Sequence, residues 1–371
     1  MTNLTQKLSK RFFGASMRVV TLALFLIVFG ASAALAQTRG YVANLGGNDV
    51  SVIDPVTNTI VATVPVGSGP FSVAVTPNGA FAYVTNEGTD DVSVISAATN
   101  TVVATVPVRS APFGIAITPN GAFAYVANRG GTTVSVINTA TDTVATTIPG
   151  IAAGPFGVAI TPSGDFAYVA SVSGNVTVID TATNTVVASV SVGGIPNGVA
   201  ITPNGAFAYV AASNANTVAI ISTASNTVVT TVPVGTRPFG VAITPNGAFA
   251  YVTNQTSATV SVIDTSTTAV VVTVPVGASP RFLAIDPTGG SVYVPNVGSN
   301  NISVISTATN TVVATVPGGF GPNAIAFPVT TQGPSNKDQC KNDGWQTFTN
   351  PSFKNQGQCI KFVNHMDEHD H

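Results

Sequence analysis

Between Gln37 and Asn336 the chain holds no histidine, cysteine or lysine, and its only glutamate is Glu87. General acid–base catalysis draws on those side chains, together with Asp, at shifted pKa. A serine or threonine nucleophile needs an adjacent base, and zinc or copper sites take imidazole and thiolate ligands. The abundant Ser and Thr of this stretch therefore have no His or Lys to activate them. The inventory leads away from catalysis, from a bound metal and from a cofactor, and towards binding or scaffolding.

Ten acidic residues remain to be placed. Asp54, Asp180 and Asp264 follow VSVI or VTVI runs, where comparable stretches carry Ser96, Asn138, Ser222 and Ser306. Asp142 stands where Asn100 does, Asp165 lies in a PSGD turn, and Asp286 replaces a Thr. These residue types cap turns through bonds to nearby backbone. Asp49, Glu87, Asp90 and Asp91 are left over, near Arg109 and Arg129. Such carboxylates could hold Ca²⁺, but they lack the spacing of a calcium loop, and solvated loop charge is the plainer expectation.

The elements that must position these residues repeat. Tyrosines stand at 41, 83, 125, 168, 209, 251 and 293, at intervals of 42, 42, 43, 41, 42 and 42 residues. A period of about 40 with several short strands per unit marks a β-propeller blade. In Pro238–Gly277, the runs PFGVAIT, AFAYVTN, TVSVIDT and VVVTVPVG are separated by Gly, Asn and Pro clusters, which reads as four strands. Phe239, Val241 and Ile243 alternate with Gly240, Ala242 and Thr244, the period-two pattern of a strand packed on both sides. Residues 37–330 contain no helical apolar period. The expectation is an all-β, seven-bladed propeller with four antiparallel strands per blade.

Closure is also legible. The first unit begins near Gly40 without a Pro-Phe-Gly strand, and a last such strand, Pro322–Phe327, follows the seventh unit without continuation. The C-terminal strand should complete the N-terminal blade and remove the free edges.

The loops between second and third strands vary (LGGND, EGTDD, RGGTT, SVSGN, SNANT, QTSAT, VGSNN), whereas PNGAF recurs at 77–81, 119–123, 203–207 and 245–249. One face should be scaffold and the other should carry recognition, with Asp49, Glu87, Asp90, Asp91, Arg109 and Arg129 on it. The residue after each blade-opening proline is Phe71, Phe113, Phe156, Asn197, Phe239, Arg281 or Asn323. Strands starting there should line the axis. Four Phe with Arg281 and two Asn would form an apolar funnel with converging polar groups; the alternative, which we favour here, packs the rings between blades as core.

The runs YVTN at 83–86 and 251–254, YVAN at 41–44 and 125–128, and the SVIDTATNTVVATVPVG-like stretches that follow resemble the YVTN family of β-propeller repeat proteins. Archaeal surface-layer proteins and many secreted bacterial proteins carry such repeats. The resemblance implies a fold and not a chemistry.

Residues 1–36 read as a signal peptide: Lys7, Lys10, Arg11 and Arg18, an apolar run, then Ala34-Leu35-Ala36. An uncleaved anchor is the alternative. Removing this segment takes four of thirteen basic residues and leaves nine against fifteen acidic, a net of −6, which argues against a nucleic-acid partner. Residues 331–337 read as a linker and 338–371 as a tail. There Cys340 and Cys359 could close a loop worth about 3 kcal/mol if oxidised, and this segment resembles a short two-cysteine tail of secreted bacterial proteins. The three histidines lie in 365–371, too close to the end for a preorganised metal site.

The leading expectation is an exported non-enzymatic propeller, periplasmic, secreted or at the cell surface, binding an envelope protein or glycan through its varied face. Alternatives are a lactonase- or lyase-like enzyme with a divalent cation, and a structural surface-layer component.

Overall fold

The computed structural model describes residues 39–328. The signal-type segment, the linker, the tail and its cysteines lie outside the described residues. Seven four-stranded antiparallel sheets surround one axis. In the second blade the strands run outward as β4 (Pro70–Val75), β5 (Phe81–Asn86), β6 (Asp91–Ser96) and β7 (Thr101–Pro107). The first blade is composite: β28 (Pro322–Ala326) is its innermost strand, followed by β1 (Gly40–Asn44), β2 (Asp49–Asp54) and β3 (Thr59–Pro65). Register is Tyr41 opposite Ala326 and Val42 opposite Ile325. The two ends of the described chain thus close the ring, as the sequence led us to expect.

The middle strands are buried along nearly their whole length, because each blade is sandwiched between two others. The outer strand alternates between exposed and covered positions. Hydrophobic cores lie between blades. Tyr83, Val92 and Val94 of the second blade, for example, pack against Ile115, Ala124, Val126 and Ile137 of the third. All seven tyrosines are fully buried in these seams.

The PNG turns repeat for a reason. Thr76 Oγ1 donates to Asn78 Oδ1 (2.7 Å) and accepts from Phe81 N (3.0 Å), while Gly79 takes a positive φ of 69°. Thr118, Thr202 and Thr244 do the same in their own blades. These turns lie on the lower face. The connections from second to third strand, and from outer strand to the next blade, form the upper face.

The YVTN asparagine is a structural residue. Asn86 Nδ2, fully buried, donates to Asp91 Oδ1 (2.6 Å) and Ser93 Oγ (2.9 Å). It ties the second strand to the third just below the upper face.

Candidate functional site at the channel mouth

The residue after that position, which is Asn in five blades and Ser171 or Ala212 in the other two, is Leu45, Glu87, Arg129, Val172, Ser213, Gln255 or Val297. Each backbone N–H donates to the carbonyl of the residue that precedes an inner-strand proline: Glu87 to Gly69 (3.0 Å), Arg129 to Ala111 (2.9 Å), Gln255 to Arg237 (2.9 Å). Gly69, Ala111, Arg237 and Ser279 hold a positive φ there. This pairing fixes seven side-chain positions as a rim around the axis on the upper face.

Below the rim, Phe71, Phe113, Phe156 and Phe239 form one cluster and are only 4–6% exposed. Ring centroids are 3.8 Å apart for Phe71–Phe113, 5.0 Å for Phe113–Phe156 and 5.6 Å for Phe156–Phe239. The rings sit neither between the blades nor around an open funnel. They meet one another on the axis and close it. Leu45 and Val172 of the rim pack onto this plug.

The inner strands approach closely enough to require glycine. A Cβ on Gly157 would run into the carbonyl oxygen of Asn197, and one on Gly114 into that of Phe156. In the seventh blade the equivalent residue is Phe282. There the inner strand shrinks to β24 (Ala284–Ile285), and the Phe282 ring enters the plug 4.9 Å from Phe239 and 6.0 Å from Phe71. The sequence reading followed the position after proline and so missed Phe282.

Two guanidinium groups lie on this floor. Arg281 Cζ is 4.6 Å from the Phe239 ring centre, and Arg129 Cζ is 4.7 Å from Phe113 and 5.9 Å from Phe156, within cation–π range. Arg281 is anchored through its backbone, with Arg281 N donating to Pro295 O (3.0 Å) and its carbonyl accepting from Thr253 Oγ1 (2.8 Å). Its Nε is buried without a partner. Burial pushes the Arg281 pKa down, the Arg237 charge adds to this, and Glu87 opposes it. Burial likewise pushes Glu87 above the usual carboxylate range, while Arg129 and Arg281 pull it back. Glu87 thus lies in the field of Arg129 and Arg281, and Arg281 in that of Arg237. Gln255 on the same rim is buried, and its Oε1 has no partner.

The other expected residues, Arg109 apart, make scaffold contacts. Asp49 accepts from Asn44 Nδ2 and Asp91 from Asn86 Nδ2, both at 2.6 Å. Asp90, at φ 59°, accepts from Ala111 N (2.7 Å), as Asn48, Asn216 and Asn300 do in their own blades. Arg109 is exposed in the connection after β7. Asn197 Nδ2 donates to Pro238 O and Asn323 Nδ2 to Phe71 O, each fastening the next inner strand. The four acids thus do not assemble, and among the described residues no group of three or more His, Cys, Asp or Glu could hold a metal ion. Asp54, Asp180, Asp264 and Asp286 cap their own turns, and Asp142 accepts from a tyrosine of the preceding blade.

Charge is divided between the faces. Among the described residues the lower face carries Asp54, Asp142, Asp165, Asp180, Asp264 and Asp286 against Arg39, six acids and one base, a net of −5. The upper face balances Asp49, Glu87, Asp90 and Asp91 with Arg109, Arg129, Arg237 and Arg281. Two of those four arginines, Arg129 and Arg281, lie over the axial phenylalanines. No helix among the described residues is long and apolar enough to cross a membrane.

Comparison with known proteins agrees with this architecture. Hydrazine synthase from Kuenenia stuttgartiensis is 28% identical, with 73% of this chain and 93% of that one covered and a TM-score of 0.68. A protein of unknown function from Desulfotomaculum acetoxidans (21% identity, 78% and 98% covered, TM-score 0.70) and a candidate 6-phosphogluconolactonase from Bacteroides uniformis (17%, 78% and 99%, 0.68) share the fold. A stretch of 37 residues is 60% identical to the PE-PGRS family protein PE_PGRS18 of Mycobacterium tuberculosis, but it spans only 10% of this chain and 8% of that protein. The model of the seven-bladed β-propeller lactonases matches residues 53–192 and 195–270, more than half of the sequence, and the chain belongs to that family.

Proposed function

We propose that this protein is a ligand-binding propeller that acts in the periplasm, outside the cell or at its surface, and takes its ligand at the channel mouth. The observation that carries the reading is the placement of Arg129 and Arg281 on a closed phenylalanine floor, within electrostatic reach of Glu87. A few polar groups converging above a sealed apolar surface are what a recognition site requires. The signal-type segment 1–36 supports export. The ligand is an envelope component, a protein or a glycan, that presents a polar group to the rim. Pull-down from envelope extract with the native protein and an Arg129→Ala/Arg281→Ala variant tests this. A partner retained by the native protein alone supports the mouth; equal retention by both removes it from the reading.

Family membership and the raised pKa of Glu87 favour a second reading, hydrolysis of a lactone. Glu87 would take a proton from water as the oxygen attacks the lactone carbonyl, and the guanidiniums would stabilise the resulting oxyanion. The ring oxygen then leaves with a proton, giving a hydroxy acid. Glucono-δ-lactone opening above the spontaneous rate, abolished by Glu87→Gln, would establish it. An unchanged rate in Glu87→Gln would end it.

A further inference from the structure

We propose that Arg129 and Arg281 bind an oxyanion, carboxylate or phosphate, by exchange with Glu87, which serves as the site's internal counter-ion. The proposal rests on reading the mouth as a ligand site and adds both a ligand class and a control. A guanidinium held over an aromatic ring by cation–π attraction keeps N–H groups for the planar or tetrahedral oxygens of an anion. Arg281 meets this description most fully, being half-buried, 4.6 Å over the Phe239 ring, and left with an unpaired Nε. Gln255 Oε1, also buried and unpaired, supplies an acceptor on the same rim. A ligand that carries a hydroxyl beside its anionic group would satisfy both.

Glu87 is the one acidic side chain of the seven rim positions. The nearby acids are committed elsewhere, Asp90 to the backbone of Ala111, Asp91 to Asn86 and Asp49 to Asn44. Arg237 faces Arg281 from the loop before the sixth blade and adds to the positive field, while Leu45, Val172, Ser213, Gln255 and Val297 are neutral. With Glu87 ionised, one carboxylate offsets the charges of Arg129 and Arg281; with it protonated, they are not offset. Glu87 offsets the field of Arg129 and Arg281, and an arriving anion replaces it as their counter-charge, so affinity should rise as pH falls through the range in which Glu87 takes up its proton. That range lies above the usual one for a carboxylate because the group is partly buried.

The test is binding of D-glucuronate and of inorganic sulfate, which hold a fixed charge from about pH 5 to about pH 8, to the full chain at constant ionic strength. Ligand-observed NMR would be run on the native protein, Glu87→Gln, Arg281→Lys and Arg129→Ala/Arg281→Ala, with melting curves as a check on folding. The expected result for the native protein is roughly tenfold weaker binding at the upper pH. Glu87→Gln should bind tightly throughout, and Arg281→Lys weakly despite its retained charge. Preference for glucuronate assigns a carboxylate ligand, and preference for sulfate a phosphate-like one. Binding that is independent of pH and unaltered by Glu87→Gln overturns the exchange while leaving the site. Failure of the native protein and Glu87→Gln to bind either anion at any pH overturns the ligand site itself.

Discussion

The hydroxyl of Tyr83 donates a 2.6 Å hydrogen bond to the carboxylate of Asp142, across the seam between the second and third blades. Asn takes the role of Asp142 elsewhere: Tyr125 bonds to Asn184, Tyr168 to Asn226, Tyr251 to Asn310, and Tyr293 to Asn58 across the closing seam, all at 2.6–2.7 Å. Opposite Tyr209 stands Thr268, and Tyr41 Oη and Asn100 Oδ1 are both buried without partners. The ring is latched unevenly.

Replacing Tyr83 by Phe should cost about 2 kcal/mol, because the lost bond is to a charged acceptor, and Tyr125→Phe about 1 kcal/mol. Tyr209→Phe should cost less than either. Urea denaturation midpoints of the three variants would rank them; equal costs would show that the latch contributes nothing beyond ring burial.

Thr268 holds φ 53°, in the left-handed region, which β-branched residues rarely occupy and Asn tolerates. Thr268→Asn should relieve that strain and give Tyr209 an acceptor. A gain of about 1 kcal/mol is expected, and it should vanish when Tyr209→Phe is added to the extent that the new bond supplies it.

All seven tyrosines of the chain have pKa values raised by burial; Tyr125, Tyr168 and Tyr251 are pushed up to about 12. The folded state holds these protons where an unfolded chain, titrating near 10, would release them. This stability is complete below pH 10 and is lost as pH rises through the folded values. Phenolate absorbance should therefore rise in step with loss of the folded signal, in one cooperative transition. Separate titration of individual tyrosines in folded protein would contradict the burial of the seams.

Gly157→Ala should destabilise the ring by roughly 3 kcal/mol, since the new methyl meets backbone rather than a movable side chain. Gly131 has nothing within 4 Å of a built Cβ, and Gly131→Ala is expected to change the melting temperature little. Comparable losses at the two sites would show that glycine flexibility, and not axial crowding, governs the effect.

The blade count, the composite first blade and the scaffold turns were legible because each recurs at a fixed interval, as with Tyr41 to Tyr293 and the PNG runs. That the strands opening at Phe71, Phe113, Phe156 and Phe239 line the axis was legible for the same reason, but the rings were expected between the blades, and their contact across the axis was not foreseen. Period places a residue within its blade and says nothing of how far its side chain reaches across the axis. Phe282 escaped notice because it breaks the period. Asp90 could have been set aside from sequence, since it shares a column with Asn48, Asn216 and Asn300. The grouping of Glu87 with Arg281 could not be foreseen, because the second and seventh blades become neighbours of the mouth only once the ring has closed.

That closure also settles a question of presentation. β1 begins and β28 ends on the lower face, in one blade, so the chain enters and leaves the ring side by side. The arginine-lined mouth opens on the opposite side. A tether at either end, natural or attached to a sensor surface, would hold the disc with its mouth outward, and immobilisation through the termini should leave the site fully accessible.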